Sequence, residues 1–398
     1  MNLEKLNFLI SAIRHNRTLR QKFARRSHAL FFLLYFSEYV THPTAEFQRE
    51  MFRLTEEKNS DLCVLSAFRG SAKSTIFSTS LPIWKIISGQ SHFVVIASQT
   101  QHQSRQHMSN IKKPLETNRL LRNDLGPFKV ENNEWGFTSG LIFEQYDAKL
   151  MVVSTEQAIR GLRYKHYRPD LTICDDIEDL ASTRTKESRD KIFNWFSSEI
   201  IPLGTPETKV FMLGNFLHEH SLVGRLMMQI DEGIRAGISR KYPLVDEHGI
   251  CLWPGRFPTA ESLEKFKKKV GDDITWNREY LLKIIARDDQ IVKYEDIQYY
   301  DELPAQHHRG KIGHGVDLAI SQKESADNTA IVSAETYYIG ESAKIFIRPD
   351  PVNAHLDFNG TIAKVITITQ TELWHSFFVE DVGYQKAAIQ EMERYGHR

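Results

Sequence analysis

The run Val64-Leu-Ser-Ala-Phe-Arg-Gly-Ser-Ala-Lys-Ser-Thr75 passes from apolar residues to small polar ones, then to a lysine followed by two hydroxyls. A strand that turns tightly into a helix presents backbone N–H groups at a helix N-terminus, where a phosphate is held. Lys73 would reach the β- and γ-phosphates of ATP and Ser74 would hold Mg2+, with Arg69, Gly70, Ser71, Ala72 and Thr75 completing the cradle. The common pattern has glycines where this chain has Ala67 and Ala72, which leaves Gly70 as the expected flexible point.

Farther along, Asp170-Leu-Thr-Ile-Cys-Asp-Asp-Ile-Glu178 is an apolar strand that ends in carboxylates. Asp175 is expected to bind the metal and Asp176 to polarise the attacking water, with Glu178 a rival for the second role. One Asp at a strand end is ordinary; a doublet that answers a loop lysine is much less so. Between the two motifs, Ser154-Thr-Glu-Gln-Ala-Ile-Arg-Gly-Leu-Arg163 sets two arginines around a glycine turn. Arg160 or Arg163 could stabilise transition-state charge in the next subunit of a ring; a salt bridge or a DNA-phosphate contact suits each equally well. Leu213-Gly-Asn-Phe-Leu-His218 follows a further strand, and Asn215 is the candidate to sense a γ-phosphate.

A second set of acids lies near the C-terminal end. In Gly313-His-Gly-Val-Asp317 a carboxylate sits on an otherwise apolar strand, where burial without a partner would be costly and a metal is the natural partner. Asp317 would bridge two divalent ions, Mg2+ or Mn2+, that activate water and stabilise a leaving oxygen. Asp327 is read as a turn residue. Phe377-Phe-Val-Glu-Asp381 repeats the logic, with Glu380 and Asp381 pointing to opposite faces of their strand.

These groups need rigid elements to converge. A chain of 398 residues, 41% hydrophobic and 26% charged, is large enough for more than one core. Apolar runs at 62–67, 93–97, 150–153, 171–174 and 209–213 alternate with helical stretches, which predicts an α/β fold with a parallel sheet and helices on both faces, as in a P-loop NTPase. Residues 3–39 have helical spacing with many arginines, and a solvated helical face is favoured there over a DNA-binding arm. Residues 222–292 read as mainly helical and charged. Strands at 312–318, 329–338, 344–348 and 376–379, with helices near 361–369 and 385–395, follow the order in which a ribonuclease-H-like domain begins. The expected domains are an N-terminal helical segment (1–40), a P-loop ATPase domain (41–222), a helical subdomain and linker (223–305), and an incomplete ribonuclease-H-like nuclease domain (306–398).

Bulk properties exclude other classes. Lys plus Arg and Asp plus Glu are both 51, so any contact with a polyanion must be local. The apolar run from Ala29 to Phe36 is far shorter than the roughly 20 residues that span a bilayer, and reads as a buried helix; no membrane partner is expected. No secretory signal is evident, and the 3 cysteines are too scattered for a disulfide framework or a Cys-based metal site.

Taken in order, Arg69 to Ser74, Ile159 to Arg163, Arg168 to Asp179, Gly214 to His218 and Trp276 to Leu282 resemble the large subunit of phage terminases. The resemblance covers the chain from about His42 onward. It implies ATP-driven translocation of double-stranded DNA into a procapsid, coupled to metal-dependent endonuclease cleavage. It also implies a terminase small subunit and a portal protein as partners, a homo-oligomeric working ring that is a monomer in isolation, and the cytoplasm of a bacterial host. His42-Pro-Thr-Ala-Glu-Phe-Gln48 resembles the family segment that contacts adenine, which makes Gln48 a candidate adenine reader. Glu380 matches the family's nuclease ligand, with Asp381 as fallback. The family's third nuclease carboxylate would lie beyond Arg398, which predicts weak metal binding and little cutting. The competing expectations are another ATP-dependent DNA-processing enzyme such as a helicase, disfavoured by the single phosphate loop, and a non-catalytic remnant that binds DNA or a portal.

Overall fold

The computed structural model describes residues 13, 15–128, 140–284, 298–318, 328–339, 342–354, 356, 358–371 and 375–379. The chain divides into two compact units, Met1–Ile291 and Val292–Arg398.

The first unit is built on a seven-stranded sheet. Its strands are β1 (Leu62–Ala67), β2 (Phe93–Ser98), β3 (Leu141–Phe143), β4 (Ala148–Ser154), β5 (Leu171–Asp175), β6 (Lys209–Gly214) and β7 (Ile238–Tyr242), in the spatial order β3-β4-β2-β5-β6-β1-β7. Every neighbouring pair is parallel except β3 with β4. β1 and β2 are buried along their whole length. Strands covered on both faces must be apolar throughout, which is why they read as continuous runs rather than alternating ones. Their alternate side chains serve two cores. Cys63, Leu65, Val94 and Ile96 pack with Phe31, Trp84 and Phe211 on one face, while Val64, Phe93, Val95 and Cys174 pack with Phe196, Leu222 and Leu226 on the other.

Two N-terminal helices, α1 (Arg17–Arg26) and α2 (His28–Tyr35), join the first of these cores. The apolar run is therefore a buried helix, as expected. Ser27 both ends α1 and caps α2, its hydroxyl accepting from the Leu30 N–H, so the helical stretch is broken in two. Arg20 is tied to the buried Asp124 through Nε at 2.6 Å and Nη2 at 2.9 Å, and Tyr35 donates to the same carboxylate at 2.9 Å. Arg20 is therefore an anchor, while Arg17 remains mostly exposed.

One strand departs from the sequence expectation. β7 lies within the stretch read as mainly helical and charged, and its residues Ile238-Ser-Arg-Lys-Tyr242 carry two cations in the middle. Charge is what an edge strand tolerates, and it hides the strand from a hydrophobic-pattern reading. The strand matters for the site, since the Tyr242 carbonyl accepts from the Phe68 N–H at the exit of β1.

The second unit has β8 (Arg309–Asp317), β9 (Thr329–Ile339) and β10 (Ser342–Ile347) as an antiparallel meander, with the short β11 (Val352–Ala354) also on β9. A helix, Phe358–Thr371, leads to β12 (His375–Val379), which lies parallel to β8. Val316 and Ile331 pack under Ile362 and Val365 of that helix. The order of strands, helix and strand is the expected one; the expected helix near 385–395 lies outside the described residues. Among the described residues no helix is long and apolar enough to cross a membrane.

Candidate nucleotide site

β6 lies between β1 and β5, so three carboxyl-terminal strand ends meet at one edge. Open parallel sheets place their ligands at this edge. A cavity of about 600 Å³ opens there, lined among others by Lys73, Ser74, Asp176, Asn215 and Glu279. Lys73, 7% exposed, places its Nζ 3.0 Å from Asp176 Oδ1. The two motifs read independently from the sequence thus converge across the cavity.

The loop between β1 and the following helix is held from outside itself. The Arg69 N–H donates to the Glu279 carbonyl at 2.9 Å, the Gly70 carbonyl accepts from Arg256 Nη1 at 3.0 Å, and the Ser71 carbonyl accepts from Gln48 Nε2 at 3.0 Å. Gly70 has φ +83° as expected, but Ala72 also has φ +73°, so Gly70 is not the single left-handed point. Ala72 adopts the turn despite its Cβ, at a cost of roughly 1–2 kcal/mol. After the loop, Thr75–Ser80 winds as a π-helical stretch. Within this stretch, Ser78 Oγ donates to Asp175 Oδ2 at 2.6 Å.

The carboxylates divide in a way the sequence left open. Asp175, 1% exposed, has no hydrogen-bond partner on Oδ1 among the described residues, and His107 Nε2 lies 3.8 Å from its Oδ2. A buried carboxylate oxygen without a donor is expensive and fits a cation placed there. Asp176 follows at φ +48°, which turns its half-exposed side chain toward Lys73. Glu178 also lines the cavity, but its two oxygens are occupied, accepting from the N–H groups of Leu222 at 2.7 Å and Val223 at 3.3 Å, at the start of the helix Leu222–Asp231. Burial pushes the Glu178 carboxyl above its ordinary range, partly offset by those two donors.

Other expected residues fall out differently. Gln48, the candidate adenine reader, is buried, and its Oε1 accepts from the Ala45 N–H at 3.0 Å while its Nε2 donates to the Ser71 carbonyl, so its amide braces the loop. Asn215 reaches the cavity but gives its Nδ2 to Glu279 Oε2 at 2.8 Å. Arg160 pairs with Glu199 at 2.7 Å and is 73% exposed, Arg163 is exposed, and both stand apart from the cavity lining. Arg69, Ser71, Ala72 and Thr75 line it.

The second unit corrects one argument. Asp317 is exposed, at the rim of a hollow whose walls include Gly315, Val332 and Phe378, so the burial cost that pointed to a metal is absent. β12 runs beside β8 with Val379 opposite Val316; Glu380, Asp381 and Asp327 lie outside the described residues. Among the described residues no group of three or more His, Cys, Asp or Glu is arranged to hold a metal.

Sequence reading missed Arg256, Ser78, His107 and Glu279. Only Glu279 had a signal, as part of the segment from Trp276 to Leu282 singled out by resemblance. The others act through contacts between residues remote in the chain.

Several solved structures are similar to this chain. The HK97 bacteriophage large terminase matches over 89% of this chain and 78% of its own, at 12% identity and a TM-score of 0.48. The large terminase ATPase domain of Thermus phage P74-26 matches over 58% of this chain and 92% of its own, at 13% identity and a TM-score of 0.39. The Phi-28 gp11 DNA packaging motor matches over 86% and 96%, at 10% identity and a TM-score of 0.36. Two of these are large terminases and the third is a packaging motor. No protein-family model and no curated protein matches the sequence.

Proposed function

We propose that the chain is the large subunit of a phage terminase, an ATP-hydrolysing motor that moves double-stranded DNA, with a metal-dependent endonuclease in its second unit. The observation that carries the motor reading is the meeting of Lys73 and Asp176 at 3.0 Å across a cavity at the strand ends. Arbitrary surface residues 103 positions apart have no reason to meet there.

In this reading Lys73 leaves Asp176 and binds the β- and γ-phosphates of ATP, with the exposed Arg69 beside it. Bound Mg2+, held by Ser74 and Asp175, would neutralise charge on the phosphates. Asp176, freed from Lys73, accepts a proton from the attacking water and orients it in line with the leaving group. Glu178 holds a helix end and does not compete for that water. Gln48 and Arg256 fix the loop carbonyls, so the backbone N–H groups keep their aim. Arg160 and Arg163, exposed away from the cavity, suit a role in a neighbouring subunit of a ring or on DNA. For the second unit, Asp317 on β8 is the metal-ligand candidate, with Glu380 or Asp381 as its partner. The small subunit, the portal and the bacterial cytoplasm belong to the same proposal.

ATP turnover with and without linear duplex DNA, measured beside Lys73→Ala, tests the motor. Turnover in the wild type and a loss of 100-fold or more in the variant, an order-of-magnitude expectation of roughly that size for a buried phosphate-binding cation, supports it. Equal rates in both proteins would sink it.

A further inference from the structure

A further acid reaches the cavity from beyond the sheet. Glu279 is 7% exposed and lines the same hollow as Lys73 and Asp176. Its Oε2 accepts from Asn215 Nδ2 at 2.8 Å and its Oε1 from Arg278 Nε at 3.0 Å, while its backbone carbonyl accepts from the Arg69 N–H at 2.9 Å. One residue thus grips both the phosphate loop and the amide at the end of β6. It belongs to the π-helical turn Asn277–Leu281, which is followed by Leu282 at φ +54°.

An amide N–H that serves a carboxylate is the same donor that would serve a phosphate oxygen. A carboxylate on the cavity wall also repels an incoming polyanion, and each phosphate added nearer to it increases the repulsion. Resting on the nucleotide reading above, we propose that Glu279 is a positioning residue that holds Asn215 off the terminal phosphate. Triphosphate binding must then exchange the Asn215–Glu279 contact for one from Asn215 to the γ-phosphate. The released carboxylate loosens its turn and, through the Arg69 N–H, the loop. A diphosphate leaves the pair intact. The geometry therefore couples the presence of the third phosphate to a turn outside the sheet.

The test measures binding of Mg2+ with AMP-PNP or ADP to the full chain by calorimetry. Glu279→Gln, which keeps the shape and removes the charge, is expected to tighten AMP-PNP by about tenfold and ADP by less than about threefold. Asn215→Ala, which breaks the same contact from the strand side, is expected to lower the preference for AMP-PNP over ADP by about tenfold. With Asn215 gone, Glu279→Gln should add less than about threefold to that preference. A merely structural Glu279 predicts the opposite, weaker binding of both nucleotides. Weaker or equal AMP-PNP binding in Glu279→Gln, an equal gain for ADP, or an unaltered preference in Asn215→Ala each overturns the proposal while leaving the nucleotide site standing. A wild-type protein that binds neither nucleotide removes the site and this inference together. Should Glu279→Gln fail to fold, an unaltered preference in Asn215→Ala still overturns the proposal.

Discussion

The phosphate loop carries two alanines where glycine is usual, and the structure gives them opposite consequences. Ala72 sits at φ +73° and Ala67 closes β1 without positive φ and only 1% exposed. In Ala72→Gly, relief of about 1–2 kcal/mol of left-handed strain is set against about 0.5–1 kcal/mol of extra chain entropy in the unfolded state. The net effect is zero to about 1.5 kcal/mol of added stability. Ala67→Gly relieves no strain; it removes a buried methyl worth about 0.8 kcal/mol and adds the same entropy term, a loss of about 1.5 kcal/mol. At roughly 2–4 °C per kcal/mol for a unit of this class, Tm should hold or rise slightly in the first variant and fall by about 3–6 °C in the second. Differential scanning fluorimetry without nucleotide, backed by urea unfolding, reads both. An Ala72→Gly protein destabilised as much as Ala67→Gly would refute the argument, since it would show that residue 72 does not occupy the left-handed region in solution.

Glu178→Gln should cost about 1–2 kcal/mol of stability, because one of the two oxygens that accept from N–H groups at the start of Leu222–Asp231 becomes an amide donor and leaves an N–H unpaired, while ATP turnover falls far less than the about 100-fold or more expected for Asp176→Asn. Equal losses in the two variants would return Glu178 to the catalytic role. His28 is fully buried, bonded to Thr55 at 2.8 Å and Ser80 at 2.9 Å, and burial, with a smaller effect from Lys85, holds its pKa well below the ordinary value. The folded state keeps it neutral while the unfolded chain takes a proton below about pH 6.5, so its contribution is full above that pH and shrinks by up to about 1.4 kcal/mol per unit as pH falls. Urea midpoints at pH 7.5 and 5.5 should therefore differ more in the wild type than in His28→Gln; equal differences would remove His28 as the cause. In the second unit, any Mn2+-dependent nicking of plasmid DNA should vanish in Asp317→Ala, and nicking that persists would dismiss Asp317 as a ligand.

Much of the frame was legible in the chain. Strands buried on both faces have to be continuous apolar runs, so 62–67, 93–97 and 171–174 announced themselves, and a strand that runs into small residues, a lysine and hydroxyls announced the loop that lines the cavity. The edge strand Ile238–Tyr242 was hidden because half-exposed backbone accepts charge, and a pattern reading counts charge against a strand. Residue type and spacing determined which groups had chemistry to offer: Lys73, the Asp175 and Asp176 doublet, Asn215. Tertiary structure alone decided how the acids divide, since the bend at Asp176 turns one carboxylate to Lys73, leaves Asp175 on Ser78, and gives Glu178 to a helix end. It alone brought Glu279 to Asn215, 64 positions away. Local preferences are written in neighbouring residues and survive in a linear reading, whereas a hydrogen bond between distant side chains exists only after the sheet has fixed where each strand ends.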